Sequence, residues 1–222
     1  MVKKIVTLVL IGAFISPAHA TLISVAGDLS NLGVAASIIA APSDVNDDAA
    51  FNEAQQGFNE QHSVLLTSDL AVDGGVISAG TRVDSHMIFL NSGPGNATTL
   101  LEQFNVVWSF SDIILGVMSD SMGLLETMSS GLLGAAGTIY PAAGFAARGL
   151  ETNPATCSLA VDDCYSVSGN QLALTMRVTE PGDWIRVITA TNVAEPATLL
   201  LMLLGVFGFV FSRRGVIYKQ FF

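Results

Sequence analysis

Two apolar ends bracket an acidic, lysine-free middle, and that division decides which part of this chain builds a domain. All 19 acidic residues lie between Thr21 and Pro196, where Arg82, Arg148, Arg177 and Arg186 supply the basic side chains. Such a middle repels phosphate backbones and anionic headgroups, so neither nucleic-acid binding nor docking on a lipid surface is expected of it. Without lysine it offers no P-loop, no Schiff-base chemistry and no Ser-Lys dyad.

The first end has the layout of a signal peptide over residues 1–20. Lys3 and Lys4 form a positive start, Ile5 to Ile15 an apolar stretch, and Ser16-Pro17-Ala18-His19-Ala20 a small-residue ending. Signal peptidase is expected to read Ala18 and Ala20 and cut after the latter. An uncleaved anchor is the alternative, but the apolar stretch is short for a bilayer and Pro17 favours extended backbone.

At the other end, Glu195-Pro196 precedes an apolar run, Leu199 to Phe211, and then Arg213 and Arg214. Residues 197–211 are expected to form a short transmembrane helix, with the arginines cytoplasmic and the acidic domain outside. The order of Glu-Pro, apolar helix and terminal arginines resembles the PEP-CTERM sorting signal of exported proteins in exopolysaccharide-producing Gram-negative bacteria. The resemblance implies an exosortase as processing partner, with Glu195, Pro196, Arg213 and Arg214 as the signal's residues. Ala194 stands where the family has a first proline, and residues 215–222 extend beyond its usual end. Thr67 to Asp73 and Gly80 to His86 resemble stretches of uncharacterised PEP-CTERM ectodomains, which brings no activity with it. A permanently anchored bitopic protein is the competing reading of this tail.

Between the ends, residues 21–192 read as one all-β domain. Phe104, Val106, Trp108 and Phe110 alternate with Asn105, Val107 and Ser109; Leu172, Leu174, Met176 and Val178 alternate with Gln171, Ala173, Thr175 and Arg177. This period of two predicts half-buried strands. Trp184 to Thr189 and Thr81 to Leu90 are further strands, and Ile113 to Met118 and Ser63 to Leu66 shorter ones. Ser168-Gly169-Asn170 and Pro181-Gly182 are spaced for a meander of three C-terminal strands. Helix is expected to be scarce: a turn or two over Asp47 to Glu53, and a loop with one helical turn from Met122 to Leu133. A strand is expected from about Gln56. An antiparallel two-sheet sandwich, jelly-roll-like, is the expected architecture.

Few constellations point to chemistry. Cys157 and Cys164 are the only cysteines, and in an oxidising compartment they are expected to form a structural disulfide. Asp44, Asn46 and Asp48 begin a calcium-loop pattern, but Ala49 and Gln55 stand where an EF-hand has Gly and Glu. An acidic helix start is the preferred reading there, with calcium left open. Asp84, Ser85 and His86 invite a triad, yet alternation puts Ser85 on the face opposite the other two, so His86 is expected to be a partly exposed strand residue. His62 is expected on the surface, and Trp108 and Trp184 in the core.

No catalytic residue, metal ligand or cofactor is therefore assigned. The expectation is a non-enzymatic surface or extracellular-matrix protein, associated with exopolysaccharide after transient anchoring in the inner membrane. A secreted polysaccharide hydrolase, which needs two converging carboxylates in a cleft, is the alternative from another class.

Overall fold

The computed structural model describes residues 21–47, 49–93, 99–142, 148–151, 157–180 and 182–191, all within one compact unit, His19–Asn192. Ala18, Ala20, Glu195, Pro196, Arg213, Arg214 and the expected spanning helix lie outside the described residues. Among the described residues no helix is long and apolar enough to cross a membrane.

The alternating segments are strands. In chain order they are β1 (Leu22–Ala26), β2 (Ser37–Ile38), β3 (Gln56–Asn59), β4 (Val64–Leu65), β5 (Leu70–Val72), β6 (Gly75–Ile77), β7 (Arg82–Leu90), β8 (Leu101–Phe110) and β9 (Ile114–Met118). One helix follows, α1 (Leu124–Leu133), and then β10 (Cys164–Ser168), β11 (Gln171–Val178) and β12 (Asp183–Ala190). The first sheet runs β1-β8-β11-β10; the second runs β2-β3-β7-β12-β9, with β4 also on β7. A separate hairpin joins β5 and β6. Pairing is antiparallel except between β2 and β3, which are parallel.

The two sheets share one core, in which Trp108, Leu172, Leu174 and Met176 of the first meet Ile88, Leu90, Ile185 and Val187 of the second. The opposite face of the second sheet is covered too. There Phe58, Met87, Phe89 and Trp184 pack with Val45 and Ala135, while Val83, Met118 and Ile188 pack with Leu66, Ile77 and Leu133. Because β7 and β12 are buried on both sides, they are apolar in both parities rather than alternating.

That double burial corrects two expectations. β12 is not the third strand of a meander: β10 and β11 form a hairpin in the first sheet, but β12 crosses to the second and lies between β7 and β9. Only a central strand accommodates the run Trp184-Ile185-Arg186-Val187-Ile188 with every side chain buried. His86 likewise is fully buried, because the face it shares with Asp84 is the inter-sheet core.

A bulge alters β8. Asn105 has φ 51°, and opposite it the register jumps between Leu174 and Met176. Leu101 and Gln103 therefore point inward before the bulge and Val106, Trp108 and Phe110 after it, while Phe104, expected inside, falls out of phase. An extra residue on one strand has this effect on every side chain preceding it. The polar Gln103 is tolerated in the core because Gln55 N–H donates to its Oε1 (2.7 Å), and the Trp108 indole donates to Gln55 Oε1 (3.0 Å). Gly57 lies so close under Trp108 that a Cβ there would come within 2.6 Å of the ring.

Helix content also departs from expectation. Among the described residues of 47–53 only one turn forms, with Ala49 and Ala50 both donating to the Asn46 carbonyl. Conversely, 124–133 is a ten-residue helix. Its entry is held by Asp120, whose carboxylate accepts the N–H groups of Leu124 and Leu125 at 3.0 and 2.8 Å. Thr127, Ser129 and Ser130 turn their hydroxyls back onto carbonyls one turn earlier, so residues that disfavour helix interiors are satisfied locally.

A buried ion pair joins this helix to the second sheet. Arg186, fully buried, donates to both Glu60 carboxylate oxygens at 2.7 and 2.8 Å. The same guanidinium donates to the Glu126 carbonyl and to the hydroxyls of Ser129 and Ser130, and lies 5.4 Å from the Tyr140 ring centre. Replacing Glu60 by Gln should cost about 3–5 kcal/mol by leaving the guanidinium charge uncompensated. A urea titration would read this as a lowered midpoint, and the double variant Glu60→Met, Arg186→Met should recover much of the loss.

Candidate functional site

The triad suggested by Asp84, Ser85 and His86 dissolves in the structure. His86 Nδ1 is 2.8 Å from Asn59 Oδ1, and its Nε2 is 3.0 Å from Thr189 Oγ1. Burial first, and then the charge of His62, push its pKa down to about 3, so the imidazole is a neutral hydrogen-bonding bridge between strands. Asp84 instead accepts from the Ser63 amide and the Thr191 hydroxyl, while Ser85, on the other face, donates to the Leu133 carbonyl. Trp108 and Trp184 are both core residues.

The calcium-loop pattern is self-satisfied where it is described. Asp44 Oδ1 accepts both the main-chain and side-chain N–H of Asn46, at 2.8 and 2.7 Å, an Asx turn rather than an open ligand set. Asp47 pairs with Arg148 at 3.5 Å, and Asp48 lies outside the described residues. The disulfide between Cys157 and Cys164 is formed, with Cα atoms 5.8 Å apart.

Among the described residues, two surface clefts are each lined by one carboxylate. One, of about 480 Å³, lies between the edge strands β9 and β10 and contains Asp73, which accepts hydrogen bonds from Tyr165 (3.0 Å) and Ser119 (2.6 Å). The other, of about 310 Å³, is lined by Phe51 and Gln56 and contains Glu53. Neither brings two acids together.

Three acids do converge elsewhere. Glu151, Asp163 and Asp183 each place an oxygen within 4.8 Å of the others'. Asp183 opens β12 and is 2% exposed, Asp163 directly precedes β10 and is 7% exposed, and Glu151 is exposed. The main chain drives the approach: Gly182 lies so near Leu90 and Asn91 that a Cβ would come within 2.2 Å of Asn91 Oδ1. Asp163 Oδ1 accepts from the Arg177 amide at 3.3 Å, but among the described residues Oδ2 of Asp163 and Oδ2 of Asp183 have no hydrogen-bond donor.

Burial and then like-charge neighbours make Asp163 and Asp183 hold their protons. Burial, then Glu151, push Asp163 up to about 8; burial, then Asp163 and Glu151, push Asp183 well above the usual carboxylate range. None of the three was legible as a site. Asp163 reads as part of an acidic loop and Asp183 as a turn residue; the available signal was a charge placed against a cysteine and at the mouth of an apolar strand.

The raised values set a direction for stability in chelator. Between pH 4 and 8 the unfolded chain has lost a proton that folded Asp163 retains, so stability falls as pH rises through this window, by at most about 1.4 kcal/mol per pH unit for one group. Asp163→Asn removes that term, so its stability relative to the parent should improve steadily from pH 5 to pH 8. Thermal denaturation in EDTA checks this, and taking the difference between the two proteins cancels the opposite slope from His86.

A family profile for the PEP-CTERM protein-sorting motif matches residues 192–214. The chain thus carries this sorting motif, and its Glu-Pro, apolar run and arginine pair all lie within the matched segment. No curated protein and no solved structure matches the chain.

Proposed function

We propose that this is an exported, non-enzymatic surface or extracellular-matrix protein, delivered by exosortase sorting and retained among exopolysaccharide. The sorting motif at 192–214 carries the reading, because it implies export, membrane-associated sorting in a Gram-negative cell and processing by an exosortase. In this account signal peptidase removes residues 1–20, the segment 197–211 anchors the chain in the inner membrane, and processing near Glu195 and Pro196 frees the domain.

The domain's properties support that destination. A disulfide suits an oxidising compartment, and an acidic, lysine-free surface favours solubility outside the cell. The two sheets are read as a sandwich of jelly-roll-like kind, with consecutive strands passing repeatedly between sheets and loops free for binding at the ends.

Intact mass spectrometry of the protein recovered from its host tests the reading. A mass running from Thr21 to the neighbourhood of Glu195, found outside the inner membrane, is the expected result. Retention of residues 213–222 in the membrane fraction would mean a permanent anchor and overturn it.

A further inference from the structure

We propose that Glu151, Asp163 and Asp183 form a calcium site that ties the two sheets together at the start of β12. The inference is independent of how the tail is processed. It stands on the convergence of three carboxylates and on Asp183, nearly fully buried, whose Oδ2 has no donor.

Among the described residues no ion pair reaches the group. The domain contains no lysine. Arg177 gives Asp163 its main-chain N–H, yet directs its guanidinium to Glu102 (3.3 Å) and the Val161 carbonyl (3.1 Å). Two ionised carboxylates side by side in this buried place would be costly without a counter-charge, and a divalent cation supplies the charge that lets them ionise.

Ligand type and spacing select the ion. An all-oxygen, all-carboxylate set suits a hard cation. Calcium binds oxygens at about 2.3–2.6 Å, so two of its ligands lie up to roughly 5 Å apart, whereas magnesium, at about 2.0–2.1 Å, spans only roughly 4 Å. Oxygens that all lie within 4.8 Å of one another are inside calcium's reach, and its flexible coordination tolerates carboxylates drawn from three separate segments better than magnesium's strict octahedron does. Three protein ligands leave room for water, which corresponds to the weak affinity of extracellular modules, about 10⁻⁴–10⁻³ M.

The site's position gives the ion a mechanical role. Asp183 belongs to the second sheet, where it faces Leu90 of β7. Asp163 leads into β10 of the first sheet, inside the loop that the Cys157–Cys164 disulfide closes. Glu151 follows Leu150, a member of the inter-sheet core. One ion would join all three segments, and calcium in the medium would stiffen the domain only after export.

The test uses the full chain in detergent at pH 7.5, with calcium chloride, magnesium chloride or EDTA. Calcium at ten times its dissociation constant should raise the melting temperature by roughly 3–6 °C, EDTA should reverse the rise, and magnesium should have a smaller effect. Terbium, a calcium substitute, should luminesce when Trp184, adjacent to Asp183, is excited. Asp183→Asn should abolish both responses. Since that buried position is sensitive, Glu151→Gln, an exposed change, provides the second variant and should weaken terbium binding roughly tenfold or more, while Asp44→Asn leaves it unchanged. An unaltered melting temperature in 10 mM calcium, or equal terbium responses from the parent and Glu151→Gln, would overturn the site.

Discussion

The Arg186–Glu60 pair is the contact on which the layering of this domain depends. A guanidinium in the middle of a central strand would be intolerable unless its hydrogen bonds were met, and they are met from two directions: Glu60 beyond β3, and the carbonyl and hydroxyls of α1. Satisfying Arg186 therefore places the helix over the second sheet. That cover is what permits the same sheet to be apolar on both faces. The pair is not cheap stability, because burying both charges offsets much of their attraction; its consequence is geometric, a helix docked in one position by three directed hydrogen bonds from a guanidinium that Glu60 holds with two more.

Burial gives identical side-chain types opposite fates in this fold. Asp84 sits in the core with its Oδ1 accepting from the Ser63 amide and the Thr191 hydroxyl and its Oδ2 3.9 Å from His62 Nδ1. Asp163 and Asp183 are similarly buried, but each has an oxygen with no donor, and their proton affinities rise accordingly. His86 shows the complementary case, a ring held neutral by burial and bonded through both nitrogens. Solvent access and donors, rather than residue identity, separate a structural acid from a candidate ligand.

Much of the strand content was legible because alternation and turn residues are local signals. The strands β7, β8, β11 and β12 all fall where period two or dense β-branched sequence predicts them. The helix was obscured by its own Ser, Thr and Gly residues, whose propensities argue against it until Asp120 caps it and the hydroxyls bond back to the main chain. The candidate metal site was hidden for a different reason: its ligands come from three segments, and the one local acidic motif that resembles a calcium loop, Asp44 to Asp48, closes on itself through Asn46.

The division between sequence and tertiary structure follows range. By itself the sequence determined the sorting motif at 192–214, the all-β character and the disulfide partners, since each is written in contiguous residues or in the only two cysteines present. Only the tertiary structure decided which sheet each strand joins, that both faces of the second sheet are covered, that His86 is buried, and that Glu151, Asp163 and Asp183 meet. Those outcomes depend on long-range packing, where a single bulge at Asn105 flips the phase of the residues before it and a crossover before Asp183 gives the strand that follows new neighbours.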